Sequence, residues 1–263
     1  MSEKKIRIDN LLIEKYLVET LTLAQRMVMA GEVRVDGELI LLPSIQVKSN
    51  SRIEIMSKPE FVSRGGEKLA SALERFGFED LSGVTAVDVG SSTGGFTDCM
   101  LQHGAAKVFA IDVGYGILHW KLRNDERVFV MERTNARFVK NLPEDISLVT
   151  IDASFISLKV LLPVVQNWFG ESGGRIIALI KPQFEASRRD AAKEIGVIKD
   201  ESVHKAVLQK VLGFILKQGF SIEGLIKSPI KGPKGNIEFL TMLTYHQKAN
   251  RFDADYWIKG LSR

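Results

Sequence analysis

Four charged side chains stand where the neighbouring residues are apolar or where a charge is locally unfavourable. Asp152 directly follows the apolar run LVTI, and Lys181 directly follows the apolar run IIALI. Glu238 interrupts the apolar stretch 237–243, and Lys68 lies in the first turn of a predicted helix, where the helix dipole disfavours a cation. Partial burial and nearby cations lower the pKa of a lysine, which can then accept a proton. A lysine that extends to water is the alternative for Lys181 alone, but Asp152 at the neighbouring strand end favours a catalytic pair.

A glycine loop follows the apolar run that begins at Val84, in the stretch VTAVDVGSSTGGF. Dinucleotide loops read G-x-G-x-x-G, because the pyrophosphate lies against backbone amides at a helix N-terminus. Here Asp88 stands two residues before Gly90, and Gly94 and Gly95 follow together. A carboxylate repels a pyrophosphate but attracts a sulfonium, so the loop favours S-adenosylmethionine over NAD. The alternative is a tight strand-to-helix turn that binds no ligand.

Further polar residues follow the next predicted strands. Asp112 ends a second strand about twenty residues past the loop, where nucleotide folds bind a ribose diol. Asn135 follows a third strand and is placed to contact an adenine. Open α/β sheets bind ligands at the carboxyl ends of their strands, so we expect these residues to share one cleft. The residues predicted to bind the cofactor are Asp88, Gly90, Ser91, Ser92, Gly94, Gly95, Phe96, Asp112, Val113, Asn135 and Asp152.

The elements that position these residues follow from alternating apolar runs and helical patterns. Five short apolar runs predict parallel strands, and a sixth predicts a closing antiparallel strand. Ser63 is predicted to cap the helix that carries Lys68, and Gly77 to end it. The fold class is therefore α/β, a Rossmann-like sheet that is mostly parallel with an antiparallel last strand. The predicted strands are 84–89, 108–111, 128–131, 148–151, 175–180 and 237–243, with a further strand of unassigned direction at 220–226.

A small module precedes this sheet. Apolar residues at helical spacing predict two helices before Gly31, and the Asp36-Gly37 turn predicts a hairpin. A generic α+β domain with solvated charges is the alternative to a binding module. The predicted domains are a small α+β domain at 1–57, a linker at 58–62, a Rossmann-like domain at 63–246 and a tail at 247–263.

Composition limits the class of protein. The chain has 263 residues, 45% of them hydrophobic and 26% charged, which is typical of a soluble globular protein. No apolar run is as long as a membrane helix, and the first ten residues contain no apolar signal core. One cysteine excludes an intramolecular disulfide, and four scattered histidines give no zinc spacing, so we expect a reducing cytosol and no metal. The net charge of +4 permits a polyanionic partner without demanding one.

The first module resembles the ribosomal-protein-S-four-type RNA-binding module. The resemblance rests on two helices followed by the stretch AGEVRVDG at 30–37. The chain departs from that pattern at Thr22-Leu23, where family members usually place a Ser-Arg pair. RNA is thus the expected partner, and the segment 182–200 is a polar, charged stretch that either contacts RNA or is merely solvated. The candidate RNA-binding residues are Arg7, Arg26, Arg34, Arg64, Arg188 and Arg189.

The rest of the chain resembles the TlyA (haemolysin A) family of ribosomal RNA ribose methyltransferases, whose catalytic domain is FtsJ-like. The resemblance implies methyl transfer from S-adenosylmethionine to a ribose 2′-hydroxyl, typically of cytidine. It also implies a Lys-Asp-Lys-Glu catalytic tetrad at Lys68, Asp152, Lys181 and Glu238, the four residues identified above. The matching motifs are SRGGEKL at 63–69, DVGSSTGGFTD at 88–98, IDVGYG at 111–116, LRNDERV at 122–128, ERTNAR at 132–137, DASFISL at 152–158, LIKPQFE at 179–185 and GNIEF at 235–239.

Four other functions are weighed against this one. A non-catalytic RNA-binding factor would lack cofactor affinity, and a pore-forming haemolysin would need membrane-spanning elements that the sequence does not predict. A NAD-dependent enzyme is disfavoured by Asp88 and by the glycine spacing. A base methyltransferase would normally carry an Asn-Pro-type motif where this chain has Asp152-Ala153-Ser154-Phe155. Neither the modified nucleotide nor the oligomeric state follows from the sequence.

Overall fold

The computed structural model describes residues 5–29, 31–56, 60–187, 197–232, 234–246, 257–258 and 260. The chain divides into two compact units, Met1–Pro59 and Glu60–Arg263. The predicted boundaries at 57/58, 62/63 and 246/247 remain predictions. The candidate RNA-binding residues Arg188 and Arg189 and most of the predicted tail lie outside the described residues.

The first unit packs two helices against short strands. Its core includes the fully buried Ile8, Leu12 and Val28. Asp36 and Gly37, with φ angles of 51° and 87°, form the two-residue turn that the sequence predicts. An N-terminal strand, which the sequence does not predict, pairs with the segment Gln46–Lys48. The elements are β1 (Lys5–Arg7), α1 (Ile8–Glu14), α2 (Leu21–Met29), β2 (Val33–Val35), β3 (Glu38–Ile40), β4 (Gln46–Lys48) and β5 (Ile53–Ile55).

The second unit is built on a seven-stranded sheet. Its strands are β6 (Thr85–Val89), β7 (Lys107–Ile111), β8 (Val128–Met131), β9 (Leu148–Ile151), β10 (Gly174–Ile180), β11 (Ser221–Lys227) and β12 (Phe239–Tyr245). The spatial order is β11-β12-β10-β9-β6-β7-β8. The strands from β10 to β8 pair in parallel, and β12 runs antiparallel to both β10 and β11. The predicted mostly parallel sheet with an antiparallel last strand is therefore confirmed.

Two apolar clusters cover the sheet. One packs α6 and α8 against it, and the other packs α3 and α4. The helices are α3 (Gly65–Phe76), α4 (Gly95–Gln102), α5 (Trp120–Arg123), α6 (Leu158–Val165), α7 (Pro182–Glu185) and α8 (Glu201–Lys217), with short 3-10 turns at Ala136–Phe138 and Gln166–Trp168. In the part of the chain that the structure describes, no helix combines the length and apolarity needed to span a bilayer.

Two local predictions near the site are wrong. Ser63 does not cap α3, because the N-cap residue is Arg64 and no side chain bonds to the free amides there. Gly77 does end α3, with φ of 63°. Glu238 lies one residue before β12 begins at Phe239, not inside the strand. The direction of its side chain is therefore not set by the alternation of side chains along the strand.

Candidate active site

A cavity of about 310 Å³ opens beside the carboxyl ends of β6, β9 and β10. Segments from α3, the glycine loop, the ends of β9 and β10 and the loop before β12 line it. All four predicted catalytic residues contribute to its wall, as do six of the predicted cofactor residues, of which Asp152 is also catalytic, and one predicted RNA-binding residue. These are Lys68, Asp152, Lys181, Glu238, Gly90, Ser91, Ser92, Gly95, Phe96 and Arg64.

Lys68 and Glu238 form a buried ion pair, with 2.7 Å between Lys68 Nζ and Glu238 Oε2. Their side chains are 9% and 1% exposed. Gln183 donates from Nε2 to the other carboxylate oxygen of Glu238 at 3.3 Å. A Cβ at Gly232 would lie 2.6 Å from Glu238 Oε1, so glycine leaves the space that this carboxylate occupies. Charges buried to this extent are tolerated only when paired and hydrogen-bonded, and Glu238 satisfies both conditions.

Asp152 joins this pair to Lys181. Its Oδ1 lies 2.5 Å from Lys181 Nζ, and its Oδ2 lies 3.8 Å from Lys68 Nζ. Lys181 Nζ also lies 3.3 Å from the backbone oxygen of Asp152 and 3.2 Å from Ser154 Oγ. An ammonium has three N–H donors, and here three oxygen atoms accept them. The order Glu238, Lys68, Asp152, Lys181 thus alternates in charge and places an amine at the cavity wall.

The glycine loop approaches the end of β9 closely. Gly90 has a φ of 83°, and a Cβ there would lie 2.9 Å from the backbone oxygen of Asp152. Gly94 has a φ of 97° and is the N-cap of α4. A side chain at Gly95 would lie 2.3 Å from Ser63 Oγ. The glycines therefore allow the loop to lie against α3 and β9 while its backbone borders the cavity.

Asp88 does not line the cavity. Its carboxylate is fully buried and accepts hydrogen bonds from the hydroxyls of Thr97 at 2.7 Å and Thr150 at 3.1 Å. Burial raises the pKa of Asp88 to about 7. A carboxylate enclosed in this way cannot touch a sulfonium in the cavity, so the predicted direct contact does not fit the structure. Asp88 instead ties β6 to α4 and β9 behind the loop.

The remaining predicted cofactor residues lie along the edge of the sheet beyond the cavity. Asp112 accepts the backbone N–H of Ser92 at 2.8 Å and that of Gly114 at 2.7 Å, and so holds two loops together. Val113 is 70% exposed. The side chain of Asn135 accepts from the backbone of Arg137 and caps a 3-10 turn. Carboxylate oxygens each accept more than one bond, so Asp112 retains capacity for a ribose hydroxyl.

The predicted RNA-binding arginines differ in how far they are already engaged. Arg7 forms a two-point ion pair with Asp9, at 2.6 and 3.0 Å, and holds the pKa of that carboxyl below its usual range. Arg34 donates to the backbone oxygen of Gly37. Arg26 lies in the last turn of α2. Arg64 alone among the predicted arginines of the described residues lines the cavity.

Four cavity residues with polar side chains are absent from the predicted site residues, namely Ser63, Thr93, Ser154 and Lys231. Lys231 lies in a glycine-rich connection seven residues before Glu238. This short spacing from a predicted catalytic residue was the signal that Lys231 lies near the site. Among the described residues, no group of three or more histidine, cysteine or acidic side chains is arranged to hold a metal ion.

The sheet order, the glycine loop and the charged strand ends define the second unit as a Rossmann-like methyltransferase. The profile of the FtsJ-like methyltransferase family matches residues 61–245, and the chain belongs to this family. The profile of the S4 domain matches residues 6–53.

Named relatives cover almost the whole chain. YqxC of Bacillus subtilis, provisionally named an rRNA methyltransferase, is 45% identical over 92% of this chain and 87% of its own length. The 16S/23S rRNA (cytidine-2′-O)-methyltransferase TlyA of Mycobacterium tuberculosis is 38% identical over 91% of this chain and 90% of its own. A solved structure from Streptococcus thermophilus, provisionally named a hemolysin, matches with a TM-score of 0.73 and 39% identity over 98% of this chain and 96% of that one. The resemblance to the TlyA family is thereby confirmed.

Proposed function

We propose that this protein transfers a methyl group from S-adenosylmethionine to a ribose 2′-hydroxyl of ribosomal RNA, with cytidine as the target nucleotide. The observation that carries the proposal is the alternating series of four charges, in which Lys181 lies 2.5 Å from Asp152 at the wall of a cavity bordered by the glycine loop. The names of the relatives supply the substrate class. Because ribosomal RNA is the substrate, we place the activity in the cytosol.

The residues present fit S-adenosylmethionine. Glycine at positions 90 and 95 leaves backbone groups uncovered at the cavity wall, whereas bulky side chains there would fill the cavity. Asp152 supplies a carboxylate that favours a sulfonium, the role that the buried Asp88 cannot take. Asp112 is placed for the ribose diol. When bound, the cofactor supplies a methyl group on a good leaving group, so catalysis by the protein consists largely of alignment.

Lys181 acts on the oxygen that receives the methyl group. As a neutral amine it accepts the proton of the 2′-hydroxyl, and as an ammonium it stabilises the alkoxide as it forms. Ser154 Oγ, 3.2 Å from Lys181 Nζ, marks one direction in which the amine donates, and a substrate hydroxyl replaces it without disturbing Asp152. Asp152 orients Lys181, while Lys68 and Glu238 fix Asp152 from behind and complete the charge balance.

RNA binding involves both units. Arg64 and Lys231 place two cations at the cavity, where phosphates flanking a target nucleotide would lie. The S4 domain supplies a separate contact, for which Arg7, Arg26 and Arg34 are the candidate residues. Phosphate contacts of this kind position RNA without specifying sequence, so recognition of the target requires the folded ribosomal RNA.

The proposal is tested by methyl transfer from labelled S-adenosylmethionine to unmodified ribosomal subunits, followed by mapping of alkali-resistant linkages. Label on a ribose establishes the activity and identifies the nucleotide. Label on a base retains the fold and cofactor but contradicts the tetrad mechanism. No label, together with no cofactor binding by calorimetry, leaves an RNA-binding factor as the function.

A further inference from the structure

A buried carboxylate outside the tetrad connects the two segments that carry Asp152 and Lys181. Glu185 ends the one-turn helix α7, which begins directly after Lys181, and its backbone N–H bonds to the Lys181 oxygen at 3.2 Å. The segment after Asp152 reaches α6 at Leu158. Glu185 is 6% exposed, so it is removed from solvent, although its side-chain hydrogen bonds within the described residues are to a hydroxyl and a backbone amide and not to a cation.

Both oxygens of Glu185 bind the segment that follows Asp152. Oε1 accepts the backbone N–H of Leu158 at 2.6 Å, and Oε2 accepts the hydroxyl of Ser157 at 2.6 Å. Burial raises the pKa of Glu185, while these two donors and the nearby Lys159 and Lys210 oppose that shift. A carboxyl group is therefore retained in a place where its burial is costly, and the two bonds it makes both cross between the catalytic segments.

A second contact joins the same segments. The rings of Phe155 and Phe184 lie 4.9 Å apart, and Phe155 has a φ of 62°, an uncommon conformation for a bulky residue. Between this contact and the tetrad, Lys181 donates to Ser154. Three successive contacts thus hold the segment 152–158 to the segment 181–185. The contact made by Glu185 is the one at the end away from the tetrad.

We propose that Glu185 is a positioning residue for methyl transfer, which fixes the separation of Asp152 and Lys181 by binding Ser157 and Leu158. The inference rests on the proposed function. It requires acceptor atoms at position 185, not the negative charge itself. A glutamine keeps the connection, because its amide oxygen accepts from Leu158 and its NH₂ group donates to the Ser157 hydroxyl. A leucine removes both bonds and leaves the Leu158 N–H buried without a partner.

The experiment compares Glu185→Leu and Glu185→Gln in the full-length chain. We expect Glu185→Leu to lower kcat on ribosomal subunits by about 10- to 100-fold, the effect of a small misplacement of reacting groups. The KM for RNA and the calorimetric affinity for S-adenosylmethionine should stay within about twofold, because Glu185 does not line the cavity beside the tetrad. Glu185→Gln retains most of kcat. In a crystal structure of Glu185→Leu, the separation between Lys181 Nζ and Asp152 Oδ1 lengthens from 2.5 Å.

Asp125→Leu is the matched control, because Asp125 also binds a backbone N–H and a side chain, both of Arg127, but precedes β8 at the opposite edge of the sheet. Its kcat stays unchanged. If Glu185→Leu does not fold, Glu185→Asp replaces it, because aspartate is too short to reach both donors. We expect a smaller fall in kcat in this variant, again with little change in KM.

Three results overturn the inference while the wild type remains active. One is normal kcat in Glu185→Leu or Glu185→Asp, and another is a glutamine variant as impaired as the leucine variant, which would make the charge the essential property. The third is a loss of RNA or cofactor affinity in proportion to kcat, which contradicts a positioning role. A wild-type protein that transfers no label instead refutes the proposed function, so the two failures are distinguishable.

Discussion

The two sides of the cavity are built by different means. The side formed by Lys68, Asp152, Lys181 and Glu238 consists of charged side chains that neutralise each other over distances of 2.5 to 3.8 Å. The side formed by residues 90–95 consists largely of backbone, and glycine is required at positions 90 and 95 because side chains there would collide with the segment after β9 and with α3. The first side supplies reactive groups, and the second supplies space and amides.

This difference predicts separable defects. A substitution among the charged residues changes the reaction but leaves the volume for the cofactor, whereas a substitution in the glycine loop changes that volume. The two sides meet where Gly90 approaches the backbone oxygen of Asp152. Effects at that contact are the exception, since a displaced loop also displaces a catalytic carboxylate.

Lys181→Ala tests the charged side most directly. We expect methyl transfer to fall by about 10²- to 10⁴-fold, the range for removal of a group that takes up a proton or stabilises developing charge. Cofactor affinity measured by calorimetry should be nearly unchanged, because the glycine loop is intact. Lys107→Ala removes a lysine paired with Glu144 at the other end of the sheet and is the control. Retained turnover in Lys181→Ala would refute the assigned role of the amine.

Glu238→Gln tests whether the ion pair between Glu238 and Lys68 helps to position Asp152. It leaves Lys68 with only Asp152, 3.8 Å away, as its anionic partner. Breaking a buried pair costs about 3 kcal/mol of unfolding free energy, and we expect activity to fall by about 10-fold as Lys68 draws Asp152 from Lys181. Urea unfolding and initial rates measure the two effects. Full activity in a stable variant would show that Asp152 is positioned without Glu238.

The sequence predicts the charged side better than the loop side. Continuous apolar runs are typical of buried parallel strands, and β8 and β9 have the predicted bounds. The charged residues were identifiable because each contradicts its apolar or helical surroundings. The enclosure of Asp88 does not follow from its local sequence, because its hydroxyl partners Thr97 and Thr150 come from other elements.

Other features depend on tertiary contacts that a local pattern does not contain. Ser63 has the residue type of a cap, but it lies beside Gly95, where a side chain would collide with it. Helix α6 was not predicted as an element, although Ser157 at its N-cap is a typical start signal. Glu185 was visible only as part of a motif, and its two contacts across segments appear only in the folded chain.

Gly90→Ala tests the glycine side. The added Cβ would lie 2.9 Å from the Asp152 backbone oxygen at a φ of 83°, so the loop must move. We expect cofactor affinity to fall by about 10-fold, with a loss of about 1–3 kcal/mol in stability. Gly219→Ala is the control, because Gly219 has the same φ of 83° but no atom within 4 Å of the added Cβ. Equal effects of both variants would attribute the loss to backbone strain alone.

Asp88→Asn tests whether a buried carboxyl group behind the glycine loop is ionised. The hydrogen-bond partners of Asp88 among the described residues include hydroxyls but no cation. Burial raises its pKa in the folded state from 3.8 to about 7. Between these values the folded chain holds a proton that the unfolded chain has released, so the Asp88 contribution to unfolding free energy falls as pH rises and is constant above about 7.

An asparagine keeps the threonine contacts without titrating, since hydroxyls both donate and accept. Urea unfolding at about pH 5 and about pH 8 should therefore show a smaller loss of stability in the variant than in the wild type. Parallel pH dependences in the two proteins would mean that Asp88 is ionised throughout, and that the backbone side of the cavity contains a permanent buried charge as the other side does.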